Sequence, residues 1–379
     1  MSSAGVDKRR LRIALLVDRF GRKFGGAESY GLELFSILSQ RHDVTVIAHD
    51  FDHQLPIQEI LIPASRRWPS WFRICHYAWQ ARKHAKAGFD IVHSHMNAGF
   101  GHVQVAHVVP VKYRKLVGKS WYQRLLKWLE PSTAAYLLLE RASFAARPDR
   151  SVVAVSPMIR QQLVDCGVSQ QHIPVIPPGV YLQKPDAITR RQVRTQLGWS
   201  DEVVGCLMVA RNPLRKGLRT VLEALDRLPR HVHLLVVGAE QDLRNRLGKT
   251  PASVMERVVL LPPVTDVNPF YQAADVFVHP TLNDSFGMSP LEAMAHGLPV
   301  VMSNDRYCGF ARYCADQQHA VLLDDPEDTQ ALARAIQDVM EDPHLRQRMT
   351  MNGKNLAASM SWDQVAKDYE AIYTHLLST

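Results

Sequence analysis

The chain has 379 residues, enough for two domains of ordinary size, each with its own core. Its 46% hydrophobic and 22% charged residues describe a soluble globular protein, and no apolar run approaches the roughly 20 residues of a membrane span. The net charge of +8 is uneven: residues 60–129 hold twelve Lys or Arg against a single acid, Asp90, and five of the seven tryptophans, which marks a surface that meets something anionic.

Lys8-Arg9-Arg10 precede an apolar run from Leu11 to Val17 that stops at Asp18-Arg19. It is shorter than most signal-peptide cores, so it reads as a first strand. From there short apolar strands alternate with amphipathic helices, the pattern of parallel sheets with crossover helices. In the first half the strands fall at 12–17, 44–48, 90–93, 103–107 and 151–155, with helices at 27–40 and 134–146. Val175-Ile176-Pro177-Pro178-Gly179-Val180 cannot continue a central strand or helix and reads as a linker. Beyond it, strands are expected at 203–209, 233–237, 258–261, 276–279, 299–302 and 320–323, with a helix over 217–228. A last helix over 361–377 carries apolar Val365, Tyr369, Ile372 and Tyr373. The five cysteines are odd in number and lack CxxC spacing, so they predict reduced cytoplasmic thiols and no zinc site.

Three segments can hold an anion. Phe24-Gly25-Gly26-Ala27-Glu28 follows the first strand and opens the first helix. Its glycines let the backbone approach a ligand, and the helix start supplies free N–H groups, although any glycine-rich strand-to-helix turn would read alike. The second is Val209-Ala210-Arg211-Asn212-Pro213-Leu214-Arg215-Lys216-Gly217, where Arg211 and Lys216 can pair with two phosphates or form a solvated basic turn. The third, residues 284–300 (DSFGMSPLEAMAHGLPV), sets Asp284 and Glu292 eight positions apart around Ser285-Phe286-Gly287-Met288-Ser289. A helix starts near Pro290 and closes at Gly297 and Pro299, so the loop amides face a ligand at the positive helix end. Spacing alone would fit an ordinary loop-to-helix junction.

The whole seventeen-residue string resembles the signature of glycosyltransferase family 4, which reads Glu, seven residues, Glu, then Ala-Met-Ala-x-Gly-x-Pro-Val. Glu292 matches the second Glu, whereas Asp284 stands where the family has the first. The resemblance implies an α/β chain of GT-B architecture: two Rossmann-like domains facing across a cleft, with a C-terminal helix crossing back to the first. It divides the chain into an acceptor-side domain, 1–177 with the crossover helix 361–379, and a nucleotide-sugar domain, 178–360. By the same resemblance Glu292 binds ribose hydroxyls, and Asp284 touches the donor sugar. Arg211, Lys216 and the amides of Ser285, Phe286, Gly287, Met288 and Ser289 neutralise the departing diphosphate. Gly25 and Gly26 face the donor phosphate, and His107 hydrogen-bonds the sugar. His93 and His95 border the same site or pack beneath it, Asn97 and His102 are possible acceptor contacts, and His279 reads as buried scaffold. No DxD-type carboxylate pair ends a strand, and no metal is expected.

Residues 176–180, the Arg-Lys-Gly loop, Leu139-Glu140-Arg141-Ala142-Ser143-Phe144 and residues 309–316 narrow the resemblance to the lipopolysaccharide core α-1,3-glucosyltransferase branch. That branch moves glucose from UDP-glucose onto a lipid-linked core oligosaccharide, with retention. GDP-mannose and UDP-N-acetylglucosamine remain alternative donors, a same-fold sugar-nucleotide epimerase an alternative activity, and a catalytically dead membrane-bound scaffold another. The basic, Trp-rich window then predicts contact with an anionic membrane through residues 66–86 and 112–129. Trp121, Leu125, Trp128 and Leu129 share one helical face beside Lys119 and Lys127, which fits a bilayer surface or a core-packing helix. Nucleic acid is not expected, because no nucleic-acid motif accompanies the window. The expected location is the cytoplasmic face of the inner membrane, peripherally attached.

Overall fold

The computed structural model describes residues 9–65, 67–86, 88–169, 173–240, 242–248 and 250–378. Arg66, the first residue of the expected membrane surface, lies outside them. The chain forms two compact units, one built from residues 1–155, 159–177 and 362–379, the other from 156–158 and 178–361.

The first unit holds strands β1 (Arg12–Leu16), β2 (Arg19–Gly21), β3 (Asp43–Ala48), β4 (Asp50–Asp52), β5 (Gln58–Leu61), β6 (Ile91–Ser94), β7 (Val103–Ala106) and β8 (Ser151–Ala154). Six of them make one parallel sheet in the order β5-β3-β1-β6-β7-β8, and β2 pairs with β4. Ile13, Ala14, Leu15 and Leu16 on β1 are all fully buried. A strand covered by helices on both faces needs such a continuous apolar run, which is why the sequence shows no alternation there.

The second unit repeats the plan with β9 (Val204–Val209), β10 (Val232–Val237), β11 (Val258–Leu261), β12 (Val276–His279), β13 (Val300–Ser303) and β14 (Val321–Leu323), ordered β11-β10-β9-β12-β13-β14. In each sheet the strand order reverses beside the first strand, between β1 and β6 and between β9 and β12. Ligands of open α/β sheets bind beyond the carboxyl ends of the strands at such a switch point. The loops after β1, β6, β9 and β12 are therefore where chemistry is sought.

Helix ends follow local chemistry. The helix expected over 134–146 spans Pro131–Ser143, because Pro131 presets φ at the first turn. The helix expected over 217–228 spans Leu218–Arg227, capped by Gly217 in the left-handed region at φ 85°. The C-terminal helix Trp362–Ser378 belongs to the first unit. Its Tyr369 hydroxyl lies 2.9 Å from that of Tyr30 on helix Gly26–Arg41, and its Glu370 pairs with Arg41 (3.3 Å) and His42 (3.2 Å). Several elements were not expected from the sequence, and two of them are edge strand β5 and helix Ser70–Ala85. Neither shows a clean apolar period, since β5 is largely exposed and the helix carries aromatics on its outer side.

No helix among the described residues is long and apolar enough to cross a membrane.

Candidate functional site

The loop after β12 carries the core of the site. Asp284 pairs as an isolated parallel bridge with Cys308, its N–H donating to Tyr307 O at 2.7 Å. Gly309 N–H donates to Asp284 O (3.0 Å) and Phe310 N–H to Phe286 O (2.6 Å), so the loop is laced to the segment after β13. The Phe286 side chain is buried against Phe310, 5.5 Å between ring centres, and only its backbone is available to a ligand. Gly287, at φ 104°, turns the chain into helix Met288–Ala295. A Cβ there would stand 2.7 Å from Cys308 Sγ, so the turn needs glycine for space as well as for φ. Ser285, Met288 and Ser289 are half-buried around this turn, with their amides at the helix start.

Lys216 closes the turn after β9. Its Nζ lies 2.5 Å from Asp284 Oδ2 and 3.4 Å from Asn283 O. Gly217 next to it packs under β12, where a Cβ would meet Pro280 O at 1.9 Å. The loops after β9 and β12 are thus locked together, with the Leu282 N–H donating to Arg215 O at 3.1 Å. Arg211, earlier in the same loop, is exposed. His279 Nε2 lies 3.0 Å from the same Asp284 Oδ2. Sequence reasoning set His279 aside as scaffold; it is buried, but it is also a direct partner of the site carboxylate. The strand-ending Val-His-Pro gave the position, and only the loop's return brings Asp284 back to it.

Burial pushes the Asp284 carboxyl up, but the His279 hydrogen bond and the Lys216 charge outweigh it and hold the group well below the usual carboxylate range. His279 is displaced downward, because burial outweighs the pull of Asp284. Cys308, fully buried alongside, is pushed up to about 12 by burial and then by the Asp284 charge, so it stays a thiol.

Glu292 sits one turn into the helix, half-buried, and its Oε2 accepts from the Tyr271 hydroxyl at 2.8 Å. Tyr271 comes from helix Asn268–Ala273, and burial followed by the Glu292 charge pushes its hydroxyl well above the usual range. It was not recognised in the sequence, since nothing local distinguishes it from a core tyrosine.

Gly25, Gly26 and His107 lie in the first unit. Gly25, at φ 152°, precedes helix Gly26–Arg41, and Arg19 Nη2 reaches Glu28 Oε1 at 3.3 Å beside it. His107 follows β7 and packs edge-on against Tyr30 (4.7 Å) and His95 (4.4 Å). His95 Nε2 lies 3.2 Å from His93 Nε2, and His93 Nδ1 lies 2.5 Å from the Tyr373 hydroxyl. Burial brings His93 and His107 down to about 3 and His95 well below its ordinary range, so all three are neutral. His93 is fully buried and has a packing role. His102 Nδ1 accepts from Val92 N–H at 3.0 Å and pins the sheet end. Among the described residues no group of three His, Cys, Asp or Glu is placed to hold a metal ion.

Two family models cover this arrangement. One, Glycosyltransferase Family 4, matches residues 24–184; the other, Glycosyl transferases group 1, matches residues 189–356. The chain belongs to glycosyltransferase family 4. Among relatives of this transferase, the lipopolysaccharide glucosyltransferase WaaG of Escherichia coli (strain K12) is 25% identical over 88% of the chain and 91% of its own length. A D-inositol 3-phosphate glycosyltransferase of Xylanimonas cellulosilytica is 30% identical over 55% of the chain, which spans only 52% of that protein. In structure the transferase is similar to WaaG, with TM-score 0.81 at 22% identity over 96% of this chain and 99% of that one. It is also similar to Anabaena HepE in complex with UDP-glucose, with TM-score 0.76 at 20% identity over 98% and 100%. These likenesses make the fold GT-B and the chain an enzyme that transfers glycosyl groups.

Proposed function

We propose that the transferase moves a hexose, with retention, from a nucleotide sugar to a lipopolysaccharide-core or related glycolipid acceptor, and that the donor is UDP-glucose. The observation that carries this reading is the locked pair of loops in the second unit, which sets Lys216 and Asp284 beside the Gly287 turn and the helix bearing Glu292. The UDP-glucose complex of HepE and the name of WaaG support the choice of donor and acceptor.

In this reading Glu292, held by Tyr271, accepts hydrogen bonds from the ribose hydroxyls. Lys216 has three N–H donors; one goes to Asp284 and one toward Asn283 O, which leaves the third for a phosphate oxygen. Arg211 adds the positive charge that Asp284 cancels on Lys216. With the amides of Ser285 to Ser289, these groups stabilise the charge of the leaving diphosphate, the largest catalytic contribution expected of such a site. Asp284 holds a donor-sugar hydroxyl, and neutral His107 orients the sugar. The acceptor hydroxyl attacks the face the diphosphate leaves, forming the new C–O bond as the old one breaks, and the diphosphate takes the acceptor's proton.

The acceptor is proposed to be met at an anionic bilayer on the cytoplasmic side. All residues of helix Trp121–Trp128 are exposed or half-buried, with Trp121 78% and Leu129 just beyond it 71% accessible. A helix with an apolar face and no buried residue favours the membrane over the core-packing alternative. Trp71, Phe72 and Trp79 of helix Ser70–Ala85 add exposed aromatics, with Lys83 Nζ 3.5 Å over the Trp79 ring.

The test is a panel of nucleotide sugars, binding and slow hydrolysis first, then transfer to lipid-linked core from a strain lacking the gene. UDP-glucose should be bound and consumed, with Lys216→Ala and Arg211→Ala each losing turnover. Preference for GDP-mannose or UDP-N-acetylglucosamine would overturn the donor, and epimerisation of a UDP-sugar without acceptor would overturn transfer itself.

A further inference from the structure

We propose that His279 is a positioning residue that fixes the plane of the Asp284 carboxylate, and so the direction from which its other oxygen meets a donor-sugar hydroxyl and which hydroxyl configuration the site accepts. Its second half rests on the nucleotide-sugar reading; the first half does not.

Both described donors to the Asp284 carboxylate converge on one oxygen. Lys216 Nζ and His279 Nε2 reach Oδ2 at 2.5 and 3.0 Å. Among the described residues, none is recorded as a donor to Oδ1, while the carboxylate keeps 20% of its side chain accessible. Oδ1 is therefore the oxygen left for a ligand hydroxyl. A carboxylate held by Lys216 alone could tilt about χ2, because an ammonium is a point charge with no directional preference, and its other oxygen would then point in no fixed direction. The imidazole removes that freedom, since its N–H lies in the ring plane and accepts one line of approach.

The tautomer follows from the surroundings. His279 is fully buried at the end of β12, its Nδ1 has no hydrogen-bond partner among the described residues, and Phe277 packs with its ring plane 21° from the imidazole. A proton on Nδ1 would strand a donor in this apolar setting and turn the Nε2 lone pair on a carboxylate. A proton on Nε2 satisfies Asp284 and leaves only an empty acceptor at Nδ1. The titratable groups facing the pair are Lys216 from the turn after β9 and the Cys308 thiol from the segment after β13. The Cys308 thiol is neutral, and the Lys216 charge opposes a second proton on the ring, so His279 stays a neutral donor with burial acting in the same direction.

The experiment uses the full chain and three variants, His279→Phe, His279→Gln and His279→Asn. Gln carries its amide nitrogen near the place of Nε2, Asn does not reach it, and Phe keeps the shape without a donor. In the ligand-free wild type, ¹⁵N NMR of labelled histidine should show His279 as the Nε2–H tautomer with a bare Nδ1. In His279→Phe, kcat for the preferred nucleotide sugar should fall at least tenfold and its selectivity over the C4 epimer should collapse. The Kd for UDP should stay within about twofold, because Glu292 and the phosphate loop are untouched. The acid limb of the kcat profile should move upward in pH, since Asp284 has lost one of the two groups that hold it ionised. His279→Gln should restore most of kcat and selectivity, and thermal melting would show that it folds even where Phe does not. An Nδ1–H tautomer, unchanged selectivity in the Phe variant, or equal defects in Gln and Asn would overturn the proposal. The expected tautomer with no nucleotide sugar turned over would leave the positioning intact and sink the function it serves.

Discussion

Replacing Lys216 by methionine isolates the ion pair at the centre of the site. The methionine keeps the aliphatic stem and removes the ammonium that stands 2.5 Å from Asp284, where the two side chains are only 12% and 20% exposed. Breaking a buried pair by deleting one partner costs about 3–5 kcal/mol. Here His279 still donates to the carboxylate, whose side chain is 20% exposed, so the loss should be about 2 kcal/mol. For a unit of this size that corresponds to a fall in Tm of roughly 4–8 °C. The defect must depend on pH in one direction. Asp284 ionises in the folded protein below its ordinary value of 3.8, so its stabilising effect is complete above pH of about 5 and fades as pH falls through the folded value. Wild type and variant should therefore differ by a steady amount near neutrality, and the gap should begin to narrow only below pH of about 4. Donor turnover should drop on the order of 100- to 1,000-fold, the cost of removing one well-placed stabiliser of developing anionic charge. Differential scanning calorimetry across pH 3–8, with UDP-sugar turnover on the same preparations, measures both. A variant that melts with the wild type at pH 7, or a gap that widens toward acid, refutes the reasoning.

Four further outcomes follow from the same structure. Gly217→Ala, whose Cβ would meet Pro280 O at 1.9 Å, should lose roughly 3 kcal/mol or more in urea denaturation; Gly198→Ala, at φ 69° with open space around it, should lose only about 1 kcal/mol. His93, His95 and His107 are neutral when folded and take up protons when unfolded below about pH 6.5, so the first unit should lose roughly 1.4 kcal/mol per histidine for each pH unit below that. Tryptophan fluorescence reports this almost alone, since only Trp199 lies in the second unit; equal stability at pH 7.5 and 5.5 would count against it. Trp121→Ser should leave Tm within about 1 °C yet weaken binding to vesicles containing phosphatidylglycerol by roughly tenfold. A polarity-sensitive dye on exposed Cys75, one helical turn from both Trp71 and Trp79, should shift to the blue with those vesicles and not with neutral ones.

Much of the fold could be read from the chain because buried parallel strands are written as unbroken apolar runs. Val232–Val237 and Val276–His279 needed little more than that. β5 was not legible, because an edge strand with one neighbour is held by backbone hydrogen bonds that leave few demands on Gln58, Glu59 or Leu61. At the site, Gly287, Glu292, Arg211 and Lys216 stood out because tight turns and anion binding restrict residue type locally. His279 and Tyr271 did not. They reach Asp284 and Glu292 through the way the β12 loop and helix Met288–Ala295 fold back, and a histidine or tyrosine at a strand end or in a short helix is ordinary until that return is known. The balance at helix Trp121–Trp128 was undecidable for a similar reason. Its sequence is amphipathic, and only the exposure of its residues in the fold distinguishes a surface helix from a core one.

The placement of helix Trp362–Ser378 in the first unit has a consequence for synthesis. Tyr30 and His93 find Tyr369 and Tyr373 only after the whole second unit has left the ribosome. The amino-terminal half must therefore wait as an incomplete nucleus, with part of its core uncovered, while a complete α/β body folds behind it. Chaperone capture and proteolytic nicking of nascent chains should peak in that interval, and shortening the carboxyl-terminal helix should leave the first unit in this waiting state permanently while the second folds as usual.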